Sequence, residues 1–151
     1  MKRRLRDRIH QTWFRLARPM TLGVRIAAID PRGRVMLVRH TYTDGFYFPG
    51  GGVERGETCE TAAIRELEEE AGLILHQPPE LLGVYANHNF FPNDHVLLYR
   101  ATDWEERKPT SAGEIAEYGF YDALNPPEDT SPATRRRLTE LFQNAAPSTI
   151  W

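Results

Sequence analysis

Gly51-Gly52-Val53-Glu54-Arg55-Gly56-Glu57-Thr58-Cys59-Glu60-Thr61-Ala62-Ala63-Ile64-Arg65-Glu66-Leu67-Glu68-Glu69-Glu70-Ala71-Gly72-Leu73 is the stretch that decides how this chain folds. It opens on glycines, which let backbone amides and carbonyls approach a ligand closely. From Thr58, an N-cap residue type, helix formers run unbroken to Gly72, a stop signal, and predict one helix of about four turns over 58–71. With Glu66 at zero and about 100° per residue, Glu69 falls near −60° and Glu70 near +40°, so three carboxylates share one face. Ile64, Leu67 and Ala71 cluster on another side, able to enter a core, and Glu68 points away from both groups. Like charges at this spacing cost a few tenths of a kcal/mol per pair when solvated. A divalent cation between them would reverse that cost; the bland alternative is an acidic face turned to water. Oxygen ligands without a His or Cys partner suit Mg2+ or Mn2+ rather than zinc.

Upstream, TLGVRIAAID and RVMLVRH are rich in Val, Ile and Leu and flank Pro31-Arg32-Gly33, which reads as a hairpin over 22–40. A short strand through Phe46 to Phe48 then leads into Gly50, Gly51 and Gly52. Downstream of Pro78-Pro79, ELLGVYANHNF, HVLLYRATDW and EIAEYGFYDAL read as three more strands, the middle one best buried. Ser131-Pro132 opens a last helix with Leu138, Leu141 and Phe142 on one face. Strands before, around and after two helices predict a layered α/β domain with a mixed sheet.

The 151 residues are 40% hydrophobic and 26% charged, enough for one domain with a real core and incompatible with wholesale disorder. No apolar run approaches the roughly 20 residues of a membrane span. The basic start is interrupted by Arg15 and Arg18 where a signal peptide needs an unbroken apolar stretch, so a cytoplasmic protein is expected. Cys59 is the only cysteine, which excludes an internal disulfide and a cysteine-rich zinc site; it reads as a small packed residue. The net charge of −2 hides an asymmetry: residues 1–18 carry an excess of six positive charges. There Leu5, Ile9, Trp13 and Leu16 form the stripe of an amphipathic helix, which divides the chain into a basic helix, 1–18, and one domain, 19–151. That helix either meets RNA or an anionic membrane, or docks on its own domain or a second subunit; Trp13 and Phe14 are candidates for a dimer contact.

Residue by residue, the 51–73 segment resembles the Nudix box of the Nudix hydrolase family: Gly51, five free positions, Glu57, seven free positions, then Arg65-Glu66-apolar-any-Glu69-Glu70-any-Gly72-apolar. Seven identities and two apolar positions would coincide by chance in such a chain less than about once in a million times. The resemblance implies a Nudix-type α/β/α sandwich with the box as loop-helix-loop, here with an extra N-terminal helix. It also implies hydrolysis, aided by Mg2+ or Mn2+, of a diphosphate bond in a nucleoside diphosphate linked to another group, such as a nucleoside triphosphate, nucleotide sugar or dinucleoside polyphosphate. The partner is then a small nucleotide or diphosphate, with no nucleic acid required. By family analogy Glu66, Glu69 and Glu70 are metal ligands, one of them the general base, with the Gly50 carbonyl completing the sphere. Arg65 would orient a box carboxylate, and Glu57 would fix the loop or act as an outer ligand.

Family members often add an acid from a later strand region, a role open to Glu114 or Glu117, with Glu114 preferred over a plain solvent-facing reading. Arg39 is a candidate for a phosphate contact or a surface salt bridge. Gly51 and Gly52 are substrate-side backbone, and Tyr47, Phe48, Tyr85, Phe90 and Phe91 are rings for base stacking or for the core. His88 and His95 flank an aromatic turn, NHNFFPNDH, that reads as a lid or as a plain hairpin turn. The alternative to an enzyme is a binding module on the same fold that senses a nucleotide or contacts RNA without turnover; loss of box acids would favour it, and none is lost.

Overall fold

The computed structural model describes Trp13 and residues 19–111 and 113–151; the basic helix expected over 1–18 otherwise lies outside the described residues. Among the described residues, seven strands and two helices follow in the order β1 (Thr21–Ala28), β2 (Arg34–His40), α1 (Cys59–Ala71), β3 (Leu73–Leu75), β4 (Glu80–Ala86), β5 (Asp94–Ala101), β6 (Trp104–Glu106), β7 (Ile115–Asp122) and α2 (Pro132–Phe142). β5 lies between β1, which it pairs in parallel, and β4, which it pairs antiparallel; β2 pairs β7 and β3 pairs β6, both antiparallel. No helix among the described residues is long and apolar enough to cross a membrane.

Strand alternation sorts the core into two layers. Val24, Ile26 and Ala28 of β1, with Met36 and Val38 of β2 and Leu97 and Tyr99 of β5, pack against Ala62, Ala63, Leu67 and Ala71 of α1. Ala27, Val35, Leu37 and Leu98 turn the other way, to Phe46, Phe48, Tyr85 and Leu138 of α2. Helix, sheet, helix is therefore the layering, as expected, and Cys59 packs against the α1 layer as a small residue.

α1 begins where Thr58 accepts from the Thr61 amide and ends at Gly72, whose φ of 67° is left-handed. The hairpin expected over 22–40 is a correction: both strands exist, but apart from a bridge between Ile29 and Val35 each finds its partner elsewhere, β1 on β5 and β2 on β7. Phe46 and Tyr47 make single bridges, to Thr130 and Val38, rather than a strand. The three-residue β3 and β6 were not anticipated.

The glycine loop is laid along the free edge of β1. Val24 donates to the Gly51 carbonyl and Ile26 to that of Pro49, both at 2.9 Å, and Val53 donates to Leu22 at 2.9 Å. Gly50 has φ 149°, and a Cβ there would collide with the Val24 carbonyl, so only glycine lets the loop lie this close.

Candidate active site

Arg65 is the hub of the acidic cluster. Its Nε donates to Glu57 Oε1 at 2.9 Å, and one terminal nitrogen donates to Glu66 Oε1 at 2.8 Å and Glu69 Oε2 at 3.3 Å. The other reaches Glu57 Oε2 at 3.1 Å and the Gly52 carbonyl at 3.3 Å. Glu57 Oε2 in turn accepts from the Glu54 amide at 3.0 Å, which ties the loop before α1 to the helix. Hydrogen bonds from Arg65 and this amide hold the Glu57 carboxyl below its ordinary range.

The three helix carboxylates share a side but sit in graded surroundings. Glu69 is 42% exposed, Glu66 lies against the backbone of Gly51, and Glu70 is turned inward with only 6% of its side chain exposed. Burial pushes Glu70 up to about 7, against the Gly50 amide, which donates to its Oε2 at 2.9 Å, and against the charge of Arg25; Glu66 and Glu114 push it further up. Burial also raises Glu66, with the Arg65 hydrogen bond opposing. Behind Glu70 stands buried His40, its Nδ1 3.6 Å from Glu70 Oε1 and held below its ordinary pKa by burial and by Arg25.

Arg25 and His40 are the residues that the sequence reading passed over. Arg25 donates from one nitrogen to the carbonyls of Phe48 and Gly50, both at 2.9 Å, so the carbonyl expected to serve a metal already accepts a hydrogen bond. A lone arginine in the apolar run of β1 was the available signal. His40 sat at the end of a strand with nothing in its spacing to mark it.

One expected substrate contact is corrected. The Phe48 ring is wholly buried in the α2 layer and cannot stack on a ligand; it contributes its carbonyl instead. Arg39 takes the salt-bridge alternative, bound to Asp129 at 2.8 Å and Glu117 at 3.6 Å with its guanidinium 4.4 Å over Phe46. Tyr85 is likewise buried. Glu114 stands in the turn before β7, near enough for its charge to act on Glu70 and Tyr42, whereas Glu117 is taken by Arg39 and Tyr121. His88 and His95 pack ring to ring 6.3 Å apart at the β4–β5 turn.

A cavity of about 910 Å³ opens beside the loop, lined by Gly51, Gly52, Arg25, Tyr47, Phe90 and Phe91 among others. The carboxylates do not line it; they meet it across Gly51, against which Glu66 rests. Among the described residues no three His, Cys, Asp or Glu side chains converge as a finished cation cage. The donor set still fits a hard divalent ion. Glu57, Glu66 and Glu69 outnumber the Arg65 charge by two, all donors are oxygen, and Glu70 adds a further buried carboxylate.

The fold and this box define the class. Residues 19–142 match the NUDIX domain, and the chain belongs to the NUDIX family. It is 39% identical over 104 residues to ADP-ribose pyrophosphatase of Methanocaldococcus jannaschii, covering 66% of this chain and 61% of that protein. To 8-oxo-dGTP diphosphatase of Escherichia coli it is 32% identical over 97 residues, covering 62% of this chain and 71% of that one. The chain thus spans less than two thirds of the first of these relatives. Among solved structures, the MutT NUDIX hydrolase from Burkholderia pseudomallei superposes with a TM-score of 0.69 at 25% identity, covering 81% of this chain and 98% of that one.

Proposed function

We propose that the protein is a Mg2+- or Mn2+-dependent pyrophosphohydrolase acting on a nucleoside diphosphate linked to a further group. The observation that carries this reading is the Arg65 hub, which holds Glu57, Glu66 and Glu69 in one hydrogen-bonded array against the Gly50–Gly52 loop, at the edge of a cavity of ligand size. Glu66, Glu69 and Glu70, with Glu114 nearby, would hold the cation. When bound, the cation neutralises the diphosphate and lowers the pKa of water.

The chain's own groups supply the rest. Arg65 fixes the carboxylates so that no reorganisation is needed when charge develops. The loop presents backbone at Gly51 and Gly52, where no side chain keeps the substrate away. A water oxygen adds to phosphorus, the bridging oxygen leaves with the other phosphate, and a carboxylate of the Glu66 and Glu69 pair accepts the water proton.

The test is product release, identified by mass, over nucleoside triphosphates including 8-oxo-dGTP, nucleotide sugars, dinucleoside polyphosphates and ADP-ribose, with and without Mg2+ or Mn2+. Metal-dependent cleavage of at least one compound, lost in Glu69→Gln, is the expected result. Absence of turnover from folded protein, or full activity in that variant, would overturn the reading.

A further inference from the structure

The cavity has a second wall that the carboxylate cluster does not explain. Ser148, Ile150 and Trp151 line it, next to Arg136 of α2. This segment lies beyond residue 142, where the family match ends. It is fastened at both edges. The Ala86 amide donates to the Thr149 carbonyl at 2.9 Å, the Trp151 amide to Ala86 at 3.0 Å, and the Ser148 amide to Glu140 Oε1 at 2.9 Å.

The fastening centres on Arg137, which is 0% exposed. It donates to the Ile150 carbonyl at 3.0 Å and to Glu140 at 2.6 Å, and its guanidinium lies 4.2 Å from the Tyr85 ring centre and 5.6 Å from that of Trp151. Tyr85 and Trp151 meet edge to face at 5.5 Å. A buried guanidinium is tolerated only when its charge and its faces are matched. Glu140, Ile150 and the two rings meet its terminal nitrogens and its faces, with Nε left unpaired among the described residues, and so tie the segment to Arg137.

What the cavity offers is planar and largely uncharged. Phe90, Phe91, Tyr47 and Trp151 are on its lining with Asn89, and Asn87 donates its amide to Asp94 Oδ2, also on the lining, at 2.8 Å. The two arginines on its lining are engaged, Arg25 by the Phe48 and Gly50 carbonyls and Arg136 by the Trp151 carbonyl. Rings with an amide and few free cations complement a nucleobase better than a second phosphate.

We propose that Ser148–Trp151, riveted by Arg137, is the selectivity wall of this site and receives a planar nucleobase carried by the diphosphate. The inference rests on the hydrolase reading above. It is tested on the full chain in Mg2+ by calorimetric titration with α,β-methylene nucleoside triphosphates and with methylenediphosphonate, which has no base. The native chain should bind at least one nucleoside probe ten times or more tighter than methylenediphosphonate, Trp151→Ala should lose about tenfold on that probe alone, and Trp151→Phe should recover most of it.

Should Trp151→Ala not fold, a chain carrying Trp13→Phe and Trp104→Phe leaves Trp151 as the only tryptophan, and its fluorescence should be quenched by the nucleoside probe and not by methylenediphosphonate. Equal binding of the two probes, an unchanged preference in Trp151→Ala, or an unresponsive Trp151 would overturn the proposal. Failure of the hydrolase reading appears separately, as absent turnover with the probe preference intact.

Discussion

Arg65 carries one positive charge among three carboxylates and is ranged by them as much as it ranges them. Glu69 is the most exposed of the three, so Glu69→Gln should change stability by less than about 0.5 kcal/mol while lowering kcat by about a hundredfold or more, read from thermal melts beside steady-state rates. A different carboxylate sets an acid limit on stability. Asp30 Oδ1 accepts from the amides of Arg32 and Arg34 at 2.9 Å, and Oδ2 pairs with the Arg34 guanidinium at 2.7 Å. Burial pushes Asp30 up, but these hydrogen bonds and the Arg34 charge outweigh it and leave the group below its ordinary 3.8. A carboxyl lowered on folding stabilises above its unfolded pKa and loses that contribution as pH falls through the folded one. Asp30→Ala should therefore cost about 1–2 kcal/mol at pH 7 and much less near pH 2, measured by urea unfolding at both.

At the level of elements, α1 depends on how it stops. Gly72 is left-handed at 67°, and a Cβ there would strike the Arg107 carbonyl and crowd Pro109, while the Glu69 carbonyl one turn earlier accepts from Thr110 and Ser111. Gly72→Ala should cost at least about 1 kcal/mol and lower Tm by about 3 °C or more by calorimetry, and should loosen the backbone carrying Glu69. This helix was legible because its caps, Thr58 and Gly72, and its carboxylates are local in sequence. The pairing of β1 was not, because its partner β5 is 73 residues away in register, Thr21 opposite Asp94, and no neighbouring turn announces it. The same non-locality hid which face of β2 holds the site: register with β7 sends His40 toward Glu70 and Arg39 toward Asp129. β3 and β6, three residues each, are too short to show a period.

Across the whole molecule, cohesion is uneven. β5 is hydrogen-bonded on both sides and buried from Val96 to Tyr99, whereas β3 and β6 form a separate pair of three-residue strands with Glu105 and Glu106 exposed. Native-state hydrogen exchange should find the Val96–Tyr99 amides opening only with global unfolding and those of β6 exchanging at least tenfold faster; equal rates would contradict that picture. Cavity and carboxylates, though on different sides of the loop, share the residue Gly50. Its amide serves Glu70 and its carbonyl serves Arg25, which lines the cavity. A nucleotide that shifted Arg25 would therefore act on the donor to Glu70, and a cation that drew on Glu70 would act on the anchor of Arg25. If both bind as proposed, such heterotropic coupling would be reciprocal: the factor by which the cation changed the affinity for the nucleotide would equal the factor by which the nucleotide changed that for the cation.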